Sequence, residues 1–339
     1  MRSLVIKGPH TIEWAEICEP ISPRQDEVQI KIKAAGICGT DIHILHGKHG
    51  AVTYPRIPGH ELVGEVTAVG ENITHVKCGD HVAIDPVVSC GKCPMCQSGR
   101  HNICHEVKCL GVQTEGGFTE LINIKGDKVY PFSPDVPWDI AALVEPFSIA
   151  AQIAERLRIN RQDKVLIVGG GTIGLAVLQV VQGVYRAEAI IADISNNKLN
   201  LAKEMGAVHV INSTEIDPVH KSGQIWKNTG PTVIIEAVGN SGLLNNLIKD
   251  APPGCRIGVI GFMNEPINIS PVEITKRELE IIGSRMNRNK FKDVLEWFKD
   301  QKVKADKLIT HKYSFEDAAI GFAIINDKPD EVCKVILEF

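Results

Sequence analysis

Four cysteines crowded into one short loop constrain the fold of this chain more than any other feature of its sequence. Cys90, Cys93, Cys96 and Cys104 lie in the stretch CGKCPMCQSGRHNIC, which otherwise holds mostly Gly, Pro, Ser and basic residues. Such a loop has little apolar surface to bury, so a hydrophobic core cannot order it. The spacing instead predicts a structural zinc ion bound by four thiolates.

A disulfide pair is the alternative interpretation of this loop. It is disfavoured because no secretory signal is recognised after Met1 and because several further cysteines are isolated in the sequence. Isolated thiols are typical of reducing compartments. We therefore expect a cytoplasmic protein whose cysteines stay reduced.

The composition is that of an ordinary globular protein with room for two domains. The chain has 339 residues, of which 44% are hydrophobic and 23% charged. Its formal net charge is -4 and its Lys and Arg residues form no basic stripe, so we expect no nucleic-acid partner. No apolar run reaches the roughly 18 residues of a membrane span, so we expect no membrane partner either.

The periodicity of the sequence changes near residue 147. Before this point, short alternating runs such as EVQIKIKAAGI and GEVTAVG are separated by Gly and Pro, which is typical of a β-rich domain. After it, buried-strand runs such as KVLIVGG and TVIIEAVG alternate with helical stretches, which predicts a parallel, doubly wound sheet. RNKFKDVLEWFKDQ then predicts an amphipathic helix and CKVILEF a final strand. The predicted fold class is α/β.

A glycine motif follows the strand KVLIV and precedes an apolar helix. Gly169 permits a tight turn, Gly171 lets the backbone approach a pyrophosphate, and Gly174 lets the helix pack closely on the strand. The free N–H groups of the first helical turn, where Thr172 and Ile173 lie, favour a bound phosphate. The glycines alone would mark only a turn, but their place between strand and helix predicts a dinucleotide site.

Asp193 ends the next predicted strand, EAIIADI. Its carboxylate can accept hydrogen bonds from both hydroxyls of the adenosine ribose and would repel a 2'-phosphate. Ile194 and Ser195 supply no positive charge. NAD is therefore favoured over NADP, and the alternative role for Asp193 is a helix cap in DISNNK.

A second set of metal-binding residue types is spread over the first region. It comprises Cys38 in GICGTDIH, His60 and Glu61 in PGHELVGEV, and Glu145 in ALVEPF. A thiolate, an imidazole and carboxylates suit a zinc site that keeps one position open for water or substrate. The residues are far apart in sequence, so each could instead be a buried thiol or a cap.

Many ordered motifs resemble the zinc-dependent medium-chain dehydrogenases over essentially the whole chain. They are GICGTDIH, GHE with G-x-V-x-x-V-G, GDHV, the four-Cys loop, GGFTE, the EP pair and the nucleotide fold. DPVVSCGKC and KLITHKYSFEDA are most similar to the polyol and sugar-acid branch, in particular its RspB-like and L-galactonate dehydrogenase-like oxidoreductases. The resemblance implies a GroES-like catalytic domain at 1–146 and 287–339, a Rossmann NAD-binding domain at 147–286, and two zinc ions per chain.

The resemblance also implies how the catalytic zinc is held. Cys38, His60 and Glu61 would be direct ligands, and Glu145 would bind the ion directly or through a water molecule. Ethanol-type members of the family have a second Cys at the position of Glu145, so its absence here points to a polyol-like site. Asp41 would orient the ring of His60, since ligand imidazoles usually donate their other N–H to an oxygen.

The proton relay and the substrate contacts follow from the same resemblance. Thr40 would take the proton of the substrate hydroxyl, and His43 would pass it to solvent through the nicotinamide ribose. Arg285 occupies a position similar to that of a substrate-contacting Arg, and a phosphate of NAD is its alternative partner.

Three further residues, His46, His49 and Tyr54, are candidates to hydrogen-bond a polyhydroxylated substrate. The expected activity is hydride transfer between NAD and a secondary alcohol of a polyol or sugar acid, by a homodimer or homotetramer. Two alternatives remain at this point. One is a catalytically weak sensor or regulatory protein with the same fold, and the other is a zinc-independent quinone reductase.

Overall fold

The computed structural model describes residues 1–339 and divides them into two compact units. The β-rich unit contains Met1–Glu145, Asn287–Gln301 and Ile309–Phe339. The Rossmann unit contains Pro146–Met286 and Lys302–Leu308. The functional division into a catalytic zinc domain at 1–146 and 287–339 and an NAD-binding domain at 147–286 stays a prediction.

The first part of the β-rich unit consists mainly of short strands. They are β1 (Arg2–Gly8), β2 (Thr11–Glu16), β3 (Glu27–Ile37), β4 (Glu61–Val69), β5 (His81–Ile84), β6 (Val87–Val88), β7 (Lys108–Cys109), β8 (Leu121–Lys125) and β9 (Val129–Pro131). The helices are α1 (Gly39–Leu45), α2 (Pro94–Gln97) and α3 (Trp138–Ala141). In β3, Val28, Ile30 and Ile32 are buried and alternate with more exposed polar residues, because successive side chains point to opposite faces of a sheet.

Strands and helices alternate in the next part of the chain. The elements are α4 (Val144–Arg156), β10 (Lys164–Val168), α5 (Thr172–Gly183), β11 (Glu188–Asp193), α6 (Asn196–Glu204), β12 (His209–Asn212), α7 (Pro218–Ile225), β13 (Val233–Glu236), α8 (Ser241–Asp250), β14 (Arg256–Val259), α9 (Pro271–Thr275) and β15 (Glu280–Gly283).

These six strands form one parallel sheet in the order β12-β11-β10-β13-β14-β15. Val165, Leu166 and Ile167 of β10 are fully buried, as expected where a parallel sheet is covered on both faces. The strand order reverses between β10 and β13, and nucleotides bind at such a reversal. The prediction of a doubly wound Rossmann sheet is confirmed.

The last part of the chain supplies α10 (Phe291–Lys299), β16 (Ile309–Ser314), α11 (Ala318–Asp327) and β17 (Lys334–Glu338). The predicted amphipathic helix is α10, which buries Phe291, Val294, Leu295 and Phe298. The predicted final strand is β17, which pairs antiparallel with β3 in a sheet of order β16-β17-β3-β4-β5-β9. None of the helices combines the length and the apolar character that a bilayer-spanning segment needs.

Candidate metal centres and cofactor site

Strand pairing in the β-rich unit brings three of the predicted zinc ligands together. Cys38 follows β3 directly and precedes α1, whereas His60 and Glu61 lie at the start of β4. The antiparallel register of these strands places Gly36 opposite Glu61. As a result, Cys38 Sγ, a ring nitrogen of His60 and a carboxylate oxygen of Glu61 all lie within 4.8 Å of one another. A single metal ion can reach this set of atoms.

Gly36 is required for this arrangement. A Cβ atom at this position would lie 1.9 Å from Oε2 of Glu61, which is far inside any permitted contact. Only a residue without a side chain leaves room for the Glu61 carboxylate to lie over β3 beside Cys38. The glycine therefore sets the direction of the third candidate ligand.

Asp41 ties together the two segments that carry Cys38 and His60. Its carboxylate is fully buried, accepts the backbone N–H of Cys38 at 2.8 Å and that of Gly59 at 3.2 Å, and lies 3.7 Å from Nδ1 of His60. Burial disfavours the charged form of His60, but the neighbouring Asp41 and Cys38 outweigh burial and raise the pKa of His60. The surroundings of this imidazole thus favour a nearby cation.

Glu145 lies near the same cluster but is not a member of the group within 4.8 Å. It belongs to the first turn of α4 and is buried. Burial raises the pKa of Glu145 to about 7, and the neighbouring Glu61 carboxylate contributes to the rise. Thr40 and His43 both lie in α1, the former half-buried and the latter exposed.

Lys334 is the residue at this site that the sequence analysis missed. It begins β17 and is only 3% exposed. Its ammonium group donates to both carboxylate oxygens of Glu61 at 2.7 and 2.8 Å and to the backbone oxygen of Ile37 at 3.1 Å. Burial lowers the pKa of Lys334, but Glu61 and Cys38 more than compensate, so the pKa is raised. All three ammonium donors are therefore satisfied.

The four-Cys loop forms a second, separate cluster. The sulfur atoms of Cys90, Cys93, Cys96 and Cys104 all lie within 4.8 Å of one another. The sulfur of Cys93 is 3.6 Å from that of Cys96 and 3.9 Å from that of Cys104. Zinc–sulfur bonds of about 2.3 Å place tetrahedral sulfurs about 3.8 Å apart, whereas a disulfide needs about 2.05 Å. The distances fit a four-thiolate zinc site.

Backbone N–H groups in this loop favour the thiolate form of two of its cysteines. The amides of Cys96 and His105 lower the pKa of Cys93 to about 6, and the amide of Cys90 lowers the pKa of Cys104. Burial and the neighbouring Cys93 raise the pKa of Cys96 to about 11. A bound metal ion would remove the last protons from such a set, because metal binding and thiol deprotonation are coupled.

The substitution Cys96→Ala tests the stabilising role of this loop. We expect it to remove one zinc ion per chain and to lower the melting temperature by at least about 5 °C, because metal binding contributes directly to folding. Activity per folded molecule should stay within about twofold. Metal analysis and thermal denaturation of variant and wild type check this, and a melting temperature equal to that of wild type would contradict it.

In the Rossmann unit, the glycine motif has the geometry that a pyrophosphate site needs. Gly169 has a φ of +113° and donates its N–H to the backbone oxygen of Ala192 at 2.8 Å. A Cβ atom at Gly174 would lie 1.8 Å from the oxygen of Gly169, whereas a Cβ at Gly171 would meet no atom within 4 Å. Gly174 thus serves close packing, and Gly171 leaves open space before α5, whose first turn contains Thr172 and Ile173.

Asp193 ends β11 beside this loop. One carboxylate oxygen accepts the N–H of Gly170 at 2.6 Å and the other accepts the N–H of Ser195 at 2.8 Å. Ser195, not Asp193, is the N-cap residue of α6, and the Asp193 carboxylate joins the glycine loop to the N–H of that residue. Arg285 follows β15 at the end of the same unit and is exposed.

The parallel sheet reverses its order beside a glycine motif. The same chain holds a cluster of thiol, imidazole and carboxylate groups and a loop of four cysteines. Together, these features define the class of zinc-binding dehydrogenases. Residues 24–135 match the family model of the alcohol dehydrogenase GroES-like domain, and residues 172–300 match that of the zinc-binding dehydrogenases. The chain belongs to the zinc-type medium-chain alcohol dehydrogenase family, in its polyol and sugar-acid branch.

Individual relatives cover the full chain. The starvation-sensing protein RspB of Escherichia coli K12 is 38% identical over 100% of this chain and 99% of its own length. L-galactonate-5-dehydrogenase of the same organism is 32% identical over 100% of this chain and 99% of its own length. The crystal structure of RspB from E. coli CFT073, complexed with NADH, superimposes with a TM-score of 0.94 at 38% identity, covering 100% of this chain and 99% of that chain.

Proposed function

We propose that the protein is an NAD-dependent dehydrogenase that oxidises a secondary alcohol of a polyol or sugar acid at a catalytic zinc ion. The observation that carries the proposal is the group formed by Cys38, His60 and Glu61, whose ligand atoms lie within 4.8 Å of one another. The similarity to L-galactonate-5-dehydrogenase supports the substrate class. The similarity to a structure with bound NADH supports the cofactor.

Cys38, His60 and Glu61 would hold the catalytic zinc, with Glu145 contacting it through a water molecule because it lies outside the group of three. When bound, zinc supplies Lewis acidity toward the alcohol oxygen. Asp41 holds the two ligand segments in place and faces Nδ1 of His60. The four thiolates of the loop would hold a second, structural zinc ion.

Proton movement is assigned to α1. Thr40 accepts the proton of the substrate hydroxyl, and the exposed His43 releases it to solvent. In the Rossmann unit, the glycine loop with Thr172 and Ile173 would bind the pyrophosphate of NAD, and Asp193 would bind the adenosine ribose. NAD supplies the hydride acceptor. Arg285 is assigned to a NAD phosphate or to a substrate oxygen.

The substitution Asp193→Ala tests the cofactor site. We expect NAD to bind about tenfold more weakly, because the ribose hydroxyls lose a charged acceptor, while the zinc content stays unchanged. Isothermal titration with NAD measures the effect. The matched control is Asp217→Ala, which removes the cap of α7 in the same unit and should lower stability without changing NAD affinity. Equal NAD affinities for Asp193→Ala and wild type would remove Asp193 from the site.

The proposed activity is tested by following NADH absorbance with zinc-loaded protein and a panel of alditols, aldonates, amino alcohols and simple secondary alcohols, with NADP beside NAD. Turnover confined to one stereochemical series of polyols or aldonates is the expected result. No turnover by a protein that binds zinc and NAD would favour a sensor instead. Activity that survives removal of all zinc would favour a quinone reductase.

We also propose a homo-oligomer, with β15 as the pairing edge. This strand ends the parallel sheet, and its Ile281 is 39% exposed. Such an edge leaves backbone hydrogen-bonding groups free for a second copy of the chain. The mass of the protein in solution tests the proposal, and a monomer would overturn it.

A further inference from the structure

A fully buried carboxylate ends β13, one of the two strands between which the order of the parallel sheet reverses. Glu236 is paired with Val168 of β10 on one side and with Val259 of β14 on the other. Its hydrogen-bond partners are backbone N–H groups and not a basic side chain. Since buried acidic side chains usually have a charged partner, this one needs a different explanation.

One oxygen of this carboxylate holds the turn that follows β13. Oε1 of Glu236 accepts the backbone N–H of Val238 at 2.8 Å and that of Gly239 at 2.6 Å. Gly239 has a φ of +82°, and a Cβ atom there would lie 2.6 Å from the backbone oxygen of Phe262. The turn therefore requires glycine at its end, and the carboxylate fixes its path.

The turn 237–239 packs directly on the first glycine of the nucleotide motif. The N–H of Ala237 donates to the backbone oxygen of Val168 at 2.9 Å. A Cβ atom at Gly169 would lie 3.0 Å from the oxygen of Ala237 and 3.1 Å from Cγ2 of Val238. Val238 is nevertheless 54% exposed, so part of its apolar side chain remains open beside the motif. The turn thus forms one flank of the glycine motif.

The second oxygen of Glu236 has no hydrogen-bond partner within the chain. Oε2 is buried and lies beside Gly261, where a Cβ atom would be 2.6 Å from Oε2 and 2.2 Å from the backbone nitrogen of Gly239. A buried oxygen without a donor lowers stability. Proteins accept such local costs mainly at functional sites. The placement of this acid therefore serves the turn beside the glycine motif better than it serves the stability of the sheet.

We propose that Glu236 is a positioning residue for NAD, whose carboxylate sets the flank of the glycine motif through the turn 237–239. The proposal rests on the NAD site of the proposed function. Because Glu236 is fully buried, it acts through Val238 and Gly239 and does not touch the cofactor. A flank that is fixed in advance lowers the cost of ordering the site when the dinucleotide binds.

The test compares Glu236→Leu, Glu236→Gln and wild type by isothermal titration with NAD, with metal analysis beside it. We expect Glu236→Leu to bind NAD about 10- to 100-fold more weakly, because two N–H groups of the turn lose a charged acceptor, while zinc content stays unchanged. Its KM for NAD should rise by a similar factor, whereas kcat should fall less than about threefold. Glu236→Gln keeps an oxygen acceptor and should stay within about threefold of wild type.

The matched control is Asp163→Leu, which removes another buried acid of the same sheet. Asp163 directly precedes β10, at the opposite ends of the strands from Glu236, and pairs with Arg256. Its loss leaves that arginine without its partner and should lower the melting temperature. NAD affinity should change less than about threefold, so the control separates a loss of stability from a loss of positioning.

Gly239→Ala tests the same turn without altering the carboxylate. Its Cβ would meet the backbone oxygen of Phe262, so the turn has to shift. We expect NAD to bind at least about tenfold more weakly. This variant also decides the proposal if Glu236→Leu does not fold.

The outcomes separate this proposal from the proposed function. If Glu236→Leu binds NAD as tightly as wild type, the assignment of Glu236 is overturned while the dehydrogenase function stands. Unchanged affinity in Gly239→Ala, or a loss in Asp163→Leu equal to that in Glu236→Leu, would also overturn it. If wild type binds NAD but oxidises no alcohol, the dehydrogenase function fails while the titrations still decide the role of Glu236. If wild type binds neither NAD nor NADP, both proposals are overturned.

Discussion

Cys38→Ala will lower kcat/KM for alcohol oxidation by at least about three orders of magnitude and leave a folded protein. The zinc ion contributes several kcal/mol of charge stabilisation to such reactions, and about 1.4 kcal/mol corresponds to a factor of ten in rate. Loss of the only thiolate among Cys38, His60 and Glu61 would remove most of this contribution. Circular dichroism and thermal denaturation will show a retained fold, because Asp41 still accepts the backbone N–H at position 38.

The matched control is Cys109→Ala. Cys109 is also half-buried in the β-rich unit, and burial raises the pKa of its thiol to about 12, but it is outside the group of candidate ligands. Its loss should change kcat/KM by less than about threefold. If Cys38→Ala stays active while Cys96→Ala is inactive, the two zinc sites have been exchanged in our assignment.

Lys334→Met will lower the free energy of unfolding of the zinc-free protein by about 3–5 kcal/mol. The reason is that Glu61 is only 1% exposed and has its two oxygens bonded to Lys334, so removal of the lysine leaves a buried, unpaired charge. Zinc at the neighbouring position would balance part of that charge. The loss should therefore be smaller in zinc-loaded protein. Denaturant unfolding with and without a chelator measures both values.

The double variant Lys334→Met with Glu61→Gln is the control for this prediction. It removes both charges, so it should recover most of the stability that the single variant loses. If the single variant and wild type unfold with the same free energy after zinc removal, then Glu61 does not depend on Lys334 for its charge balance.

Local spacing explains why much of the molecule could be predicted from sequence. The four-Cys loop and the Gly169 to Gly174 motif each lie in one short segment, so the residues that act together are neighbours in the chain. The order of strands and helices in the Rossmann unit follows from alternating periodicities in the same way. The helix α10 was predictable because its buried residues recur at helical spacing.

Long-range strand register explains what could not be predicted. The contact between Lys334 and Glu61 depends on the pairing of β17 with β3 and of β3 with β4, which no local pattern contains. The lysine directly before the apolar residues Val335, Ile336 and Leu337 is the one signal that could have drawn attention to it, since lysine is rarely buried without a partner.

The separation between Glu61 and Lys334 also affects the order in which a ribosome can complete the metal centre. The two residues are 273 positions apart, and at about 5–20 residues per second the lysine follows the glutamate by on the order of tens of seconds. Until then, a nascent chain has Glu61, Cys38 and His60 but not the Lys334 ammonium group that balances the charge of the Glu61 carboxylate. Fragments released early would hold an uncompensated carboxylate and lack β17, which pairs with β3, and this makes them ready targets for chaperones and proteases.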